Sequence, residues 1–447
     1  DEYVAPRSGV ERVLAEVFAV VLGVDRVGVY DNFFALGGDS ILSLQVVARA
    51  RREGVVVTSR DVFARQCVAA LAEVAVVEEA AGGGVDGGAV SGPVPLTPIM
   101  RWFFDVYAAG VDHFAMSVLV DLVEGVDREA LGVAVAALAD RHAMLRLRAD
   151  GDRAWLPAEP ADLTLETVDL SGLAPEQADE ALQTRIHQVH ASLSPAKGPV
   201  VRAVVFDGGV RGARLLLAAH HLVVDGVSWR VLLEDLAAGY RSAVAGEPVD
   251  LGAGSTAFAE WARRLVEFTA AGGFDTELDH WTAVAADDAE AEVPVDADGA
   301  NTVSTQRTVS VALPPDVVEG LLRGAASVFR ARVDDVLLAA LGRVLCGWTG
   351  AGRVLVDVEG HGREELFDGV DVSRTVGWFT SVYPVALEDD ADPVVLLKRT
   401  KEALRAVPNR GVGFGALRYL GGERAREVLG RVPVPAVGFN YLGRFDT

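Results

Sequence analysis

At 447 residues, half of them apolar, the chain can bury more than one core, and ordinary domain sizes suggest about three globular units. A formal charge of −23 argues against a phosphate-backbone partner, because no basic stripe is present to displace counterions; nucleic acid is not expected. Cys67 and Cys346 form neither a disulfide framework nor a metal cage. The N-terminal DEYVAPRSGV has no charged-then-apolar leader, and no apolar run is long enough for a bilayer, so a cytoplasmic chain without membrane association is expected. Both chain ends fall inside densely patterned sequence, as in a segment of something longer.

Residues 9–23 place Val10, Val13, Leu14, Val17 and Val21 on one helical stripe closed by Gly23. A second helix is predicted from Ser40 through ILSLQVVARARREG, with Ile41, Leu44, Val47 and Ala48 inward and Gly54 as its stop. A short segment at 58–64 and a helix over 66–77 complete a small four-helix bundle. Residues 78–92, rich in glycine, have the composition of a flexible tether and mark a domain boundary.

Beyond Pro93 the pattern becomes mixed α/β. Strands are predicted at 115–122, 200–206, 214–220, 307–313, 353–358 and 380–387, and helices at 98–108, 127–141, 175–193, 228–244, 315–326 and 333–348. The acidic stretch 283–301 reads as an exposed connection. No short repeat marks a solenoid.

Within LGGDSI at 36–41, Gly37 and Gly38 permit a tight turn, Asp39 suits an N-cap, and Ser40 opens the helix with its hydroxyl exposed. A phosphate there would meet the positive helix end and its amides; taken alone, the same four residues are an ordinary helix cap. The run YDNFFALGGDSILSLQ, preceded by YVAPRS at 3–8, resembles the phosphopantetheine attachment region of peptidyl carrier domains in nonribosomal peptide synthetases. The resemblance implies 4′-phosphopantetheine on Ser40, its thiol holding an aminoacyl or peptidyl thioester. Asp39 stands where such carriers usually have histidine, a variant typical of carriers followed by an epimerization domain.

In ARLLLAAHHLVVDGVSWRVLLEDL a strand delivers His220 and His221 to its end, followed by a turn at Asp225–Gly226 and a helix. Neighbours on an extended chain point to opposite sides, so at most one histidine faces a shared cavity, where a near-neutral pKa suits proton transfer. No zinc-helix spacing surrounds the pair, and no metal is expected. HHLVVDG resembles the HHxxxDG signature shared by condensation and epimerization domains. That implies His221 as the working histidine, His220 as structural, and Asp225 with Gly226 as loop-forming.

The strings PIMRWFF at 98–104, DDVLLAALG at 334–342, EGHGRE at 359–364, RTVGWFTSVYPVAL at 374–387, PNRGVGFG at 408–415 and FNYLGRFD at 439–446 together resemble the ordered motif series of an epimerization domain. The implied fold is two chloramphenicol-acetyltransferase-like lobes in a V, about 93–270 and 271–447, after a carrier at 1–77. Inverting an α-carbon requires proton removal on one face and return on the other, and His221 with Glu359 are the available pair. His361 is a supporting residue. The charge developing on the thioester oxygen calls for stabilisation, for which Asn440 and, by the resemblance, Tyr441 are candidates. The thioester activates the α-carbon, so no pyridoxal phosphate is expected.

These readings describe a carrier–epimerization didomain served by a phosphopantetheinyl transferase, an upstream adenylation domain and a downstream condensation domain. A condensation domain joining two carrier-bound substrates is the competing enzyme, and an inactive carrier-docking platform the non-enzymatic alternative.

Overall fold

Ser8 accepts from the Glu11 amide and Gly23 closes the helix at φ 66°, so the first stripe becomes α1, Gly9–Leu22. The computed structural model describes residues 3–77, 91–107, 110–161, 163–208, 212–252, 254–286, 293–297, 299–325, 329 and 331–443. The buried face of α1 is Leu14, Val17, Phe18 and Leu22, with Val10, Val13 and Val21 only half-buried. The face is turned because Phe18 packs on Phe33 of the following loop, ring centroids 4.9 Å apart.

Asp39 caps α2, Ser40–Arg52, with Glu53 at its C-cap and Gly54, at φ 75°, ending it as expected. Its inward residues include Leu42, Leu44, Val46 and Val47, while Ile41 stays half-buried. β1 (Val55–Val56), α3 (Ser59–Arg65), α4 (Val68–Ala72) and β2 (Val76–Val77) complete the unit. The helix predicted over 66–77 is therefore much shorter: its β-branched end, Val76 and Val77, pairs antiparallel with Val56 and Val55. Four helices enclose a core of Leu14, Phe18, Phe33, Val46, Val62 and Leu71. Of the glycine-rich segment 78–92, residues 78–90 lie outside the described residues.

The first lobe starts with β3 (Gly92–Val94) and α5 (Pro98–Val106), followed by β4 (Ala115–Asp121) and α6 (Arg128–Arg141). β5 (Arg148–Asp150), β6 (Arg153–Leu156) and β7 (Leu165–Asp169) precede α7 (Pro175–Ala191). β8 (Val201–Asp207) and β9 (Arg214–His220) lead into α8 (Gly226–Val244). The main sheet runs β4-β9-β8-β7, with β3-β6-β5 beside it. β9 is buried along its whole length because both faces are covered. Leu216 and Ala218 pack with Leu182 and Val189 of α7, while Leu215 and Leu217 join the main core with Leu131 and Leu138 of α6 and Leu232 of α8.

α9 (Phe258–Ala270), the last helix within the bounds read for the first lobe, leads into the second lobe, which contains α10 (Leu278–Ala286), α11 (Pro315–Glu319) and α12 (Val333–Thr349). β10 (Arg353–Gly360) pairs antiparallel with β11 (Ser381–Glu388). After α13 (Pro393–Ala406), α14 (Val412–Leu420) and α15 (Glu423–Gly430), β12 (Gly438–Phe439) returns parallel to β10. The strand predicted at 307–313 is absent: Val309 and Val311 are exposed, and no strand of the described residues lies beside them. The helix predicted over 315–326 is α11 followed by a π-helical turn, Gly320–Ala325. Of the connection expected at 283–301, residues 283–286 belong to α10, residues 287–292 and 298 lie outside the described residues, and 294–297 and 299–301 are exposed.

Candidate active site

β9 ends at His220, and the backbone tightens into a 3-10 turn, His221–Val223, before Asp225 caps α8. This break sends the two histidines apart. His220 is fully buried, its Nε2 2.6 Å from the Val111 carbonyl and its Nδ1 accepting from the Leu222 amide; burial pushes it down to about 4. His221 faces a chamber of about 1160 Å³. Its Nδ1 lies 2.9 Å from the Val224 carbonyl, which only accepts, so the proton sits on Nδ1 and the Nε2 lone pair is left as a base. The ring packs against Phe114 and Trp378, centroids 5.2 and 4.4 Å away and 5.8 Å from each other, and burial lowers its pKa.

Glu359 lines the same chamber, from the end of β10. Parallel pairing of β12 sets Val358 opposite Phe439, so the next residues, Glu359 and Asn440, run on side by side. Asn440 Nδ2 donates to Glu359 Oε2 at 2.6 Å. The carboxyl is accessible from the chamber, yet surrounding protein raises its pKa, chiefly through desolvation and then through the Asp357 charge. Asn440 thus reaches the glutamate, which was not foreseen for it, and Tyr441 lines the chamber beside it. His361 accepts from the Arg363 amide at Nδ1 and sits 3.5 Å from Glu364; burial pushes the imidazole down to about 3 and Glu364 up to about 7.

Two short stretches of the second lobe fasten these groups to the first. Asp225 accepts from the Ser228 amide and hydroxyl, both 2.8 Å, and from Arg363 Nη1 at 2.5 Å and the Phe379 amide at 3.2 Å. Arg363 is itself fully buried, donates to the Thr375 carbonyl at 3.0 Å, and stacks 4.1 Å over the Phe379 ring. Gly362 (φ 66°) is required here, since a Cβ would fall 1.7 Å from the Phe379 carbonyl oxygen. Arg363 ties the end of β10 to the HHLVVDG turn. Arg374 pairs with Glu234 and Asp235 of α8.

The N-terminal unit sits against this assembly. Arg49 and Arg52 of α2 reach Glu234 at 2.8 and 3.8 Å, and Arg51 pairs with Asp371. Ser40 consequently lines the chamber that holds His221 and Glu359. The chamber wall also carries Arg332, Arg405 and Arg410.

Residues 90–446 match the family model described as Condensation domain, and residues 12–75 match Phosphopantetheine attachment site. The chain belongs to the condensation-domain family. It joins a phosphopantetheine carrier to a condensation-family domain of the nonribosomal peptide synthetase kind. It is 42% identical over 458 residues to a linear gramicidin synthase subunit of Brevibacillus parabrevis, covering 100% of this chain but 9% of that protein. Surfactin synthase subunit 1 of Bacillus subtilis (strain 168) is 38% identical over 453 residues, 100% of this chain and 12% of that protein. The chain thus spans about a tenth of such relatives. A solved epimerization domain from the third module of tyrocidine synthetase B superposes with a TM-score of 0.75 at 31% identity, over 80% of this chain and 83% of that one. The first condensation domain of the calcium-dependent antibiotic synthetase gives 0.63 at 21% identity, over 78% and 80%, and shares the fold.

Ser40 fits a phosphopantetheine arm by position, at the first turn of α2 and on the chamber wall. One expectation changes. Asp39 Oδ1 takes the amides of Ile41 and Leu42, at 2.9 and 2.8 Å, so these amides are occupied by the cap instead of waiting for a phosphate. The chamber wall carries charges of both signs: Arg332 pairs with Asp334 and Asp335, Arg410 with Glu364, and Asp225 and Glu359 line it too. Among the described residues no helix is long and apolar enough to cross a membrane, and no group of three or more His, Cys, Asp or Glu could hold a metal ion.

Trp378 and Arg363 were missed as individual residues, although the motif strings contain both. Each is a loop residue whose partner lies more than a hundred positions away, and no periodicity reports such a contact.

Proposed function

We propose that Ser40 carries the phosphopantetheine arm and that the condensation-family domain inverts the α-carbon of the aminoacyl or peptidyl group held on it. The observation that supports this reading is the pairing, in one chamber reached by Ser40, of an imidazole with an open Nε2 and a carboxyl held by Asn440. The arm's thiol holds the cargo as a thioester, whose carbonyl acidifies the α-proton. His221 Nε2 takes or returns a proton on one side, and the Glu359 carboxyl, its proton favoured by burial, does so on the other. Tyr441 donates toward the thioester oxygen, and Asn440 orients Glu359. His220, with both nitrogens engaged, holds the turn, as do Asp225 and Gly226. The domain acts in a modular synthetase, between an adenylation domain that loads the carrier and a condensation domain that consumes the product. The stronger likeness to a solved epimerization domain favours inversion over amide formation.

The test is to load Ser40, incubate in deuterated water and determine α-deuterium content and configuration of the released acid. Washout with mixed configuration supports inversion; amide formation from two loaded carriers with no washout would establish condensation instead. Ser40→Ala is expected to abolish loading by a phosphopantetheinyl transferase, read as intact mass, while the large domain remains folded. A mass gain at ordinary stoichiometry in that variant would remove Ser40 from the scheme.

The pH dependence has a defined sign. Burial lowers the His221 pKa below 6.5, so its neutral, proton-accepting form persists as the pH falls through 6.5. The His221-dependent exchange rate is expected to lose half its value only below pH 6.5; an acid limb centred above that would contradict the buried imidazole as base.

A further inference from the structure

The two residues that follow EGHGR, Glu364 and Glu365, both act toward carrier helix α3. Glu365 Oε1 accepts the Ser59 amide at 2.6 Å, satisfying an N–H at the start of that helix. Glu364 Oε2 lies 3.5 Å from Arg410 Nε, and the Arg410 guanidinium lies 4.0 Å from the ring centroid of Phe63 near the other end of α3. Phe63 is held in place by stacking on Phe34, centroids 5.0 Å apart.

Arg410 reaches this position from an unusual backbone. Asn409, Arg410 and Gly411 have φ of 41°, 48° and 85°, and non-glycine residues stay left-handed only where their surroundings impose it. Two sets of contacts impose it here. Asn409 Nδ2 donates at 2.6 Å to the buried Glu277, whose other oxygen accepts from Trp281 Nε1 at 3.1 Å. A Cβ on Gly411 would fall 1.8 Å from the Tyr383 ring, so the turn is pressed against β11. A fixed turn thus aims one cation at the one aromatic ring that α3 offers.

We propose that Glu364, Glu365 and Arg410 form a recognition clasp for carrier helix α3, the two glutamates mounted just after the strand that presents Glu359 and the arginine on the Asn409–Gly411 turn. The partner it fits is a carrier whose third helix has an accessible first-turn amide and an aromatic ring at the position of Phe63. The clasp concerns docking, so it stands apart from the direction of the chemistry.

Hydrogen–deuterium exchange by mass spectrometry on the unloaded full chain tests it without turnover. Arg410→Gln is expected to speed amide exchange in residues 59–66 about 2–5-fold, the scale of a surface cation–π contact, and Phe63→Leu to do the same in residues 361–366. The double variant should exceed neither single effect. Unchanged exchange at 59–66 in Arg410→Gln, or effects that sum in the double variant, would overturn the clasp. Exchange in α1 reports whether Phe63→Leu loosens the whole carrier. If it does, Arg410→Gln and Glu365→Ala decide: faster exchange at 59–66 in both supports the clasp, and wild-type exchange in either rejects it.

Discussion

Glu359→Gln is expected to slow inversion of Ser40-bound cargo by about 10²–10⁴-fold, the scale of one positioned acid–base group. The amide keeps the carboxylate's shape and can still accept from Asn440 Nδ2, so folding and carrier loading should be unaffected. His221→Ala should lose at least as much. The double variant should lose little beyond the worse single, because both groups serve one proton-transfer sequence. Each single variant, given L-loaded and D-loaded carrier separately in deuterated water, should retain washout from one enantiomer only, which assigns a face to each group. Near-wild-type inversion from both enantiomers in Glu359→Gln would remove the glutamate from the mechanism.

The largest structural effect is expected at Arg363. Its side chain is 0% exposed and that of Asp225 5%, so deleting the cation leaves a buried carboxylate with no opposing charge. Loss of one partner of such a pair costs about 3–5 kcal/mol. Arg363→Met should lower the stability of the large domain by this amount, measured as urea unfolding followed by tryptophan fluorescence. It should also abolish exchange activity, because the same bond joins the HHLVVDG turn to the end of β10. Adding Asp225→Asn should restore part of the stability, since the uncompensated charge is then gone, without restoring activity. A loss below about 1 kcal/mol in Arg363→Met would show that the lobes are held together elsewhere.

Local chemistry made much of this chain legible in one dimension. Asp39 before Ser40 is a cap whose side chain bonds the amides two and three residues on, and α2 begins where it stands; Asp225, read as a turn residue, also caps, so α8 begins at Gly226, two residues before the predicted 228. Strand alternation foretells the split of His220 from His221, and the break into a 3-10 turn at His221 produces it. Periodicity likewise found β4, where half-buried and exposed residues alternate from Met116 on, and β8, β9, β10 and β11, which carry buried residues. It failed at 307–313, where alternating valines lack a neighbouring edge, and at Val76–Val77, where a strand partner twenty residues earlier shortened a helix.

What only the tertiary structure decided is which groups share a space. Glu359 and Asn440 are 81 positions apart and meet because β12 pairs parallel with β10; Arg363 and Asp225, 138 apart, meet because the loop after β10 packs on the turn before α8. The same holds for Arg410, whose aim depends on Glu277, Trp281 and Tyr383 holding a left-handed turn. The physical reason is common to all three. Caps and periodicity are properties of neighbours along the chain, whereas a chamber is made by side chains whose only connection is the packing that brings their strands and turns together.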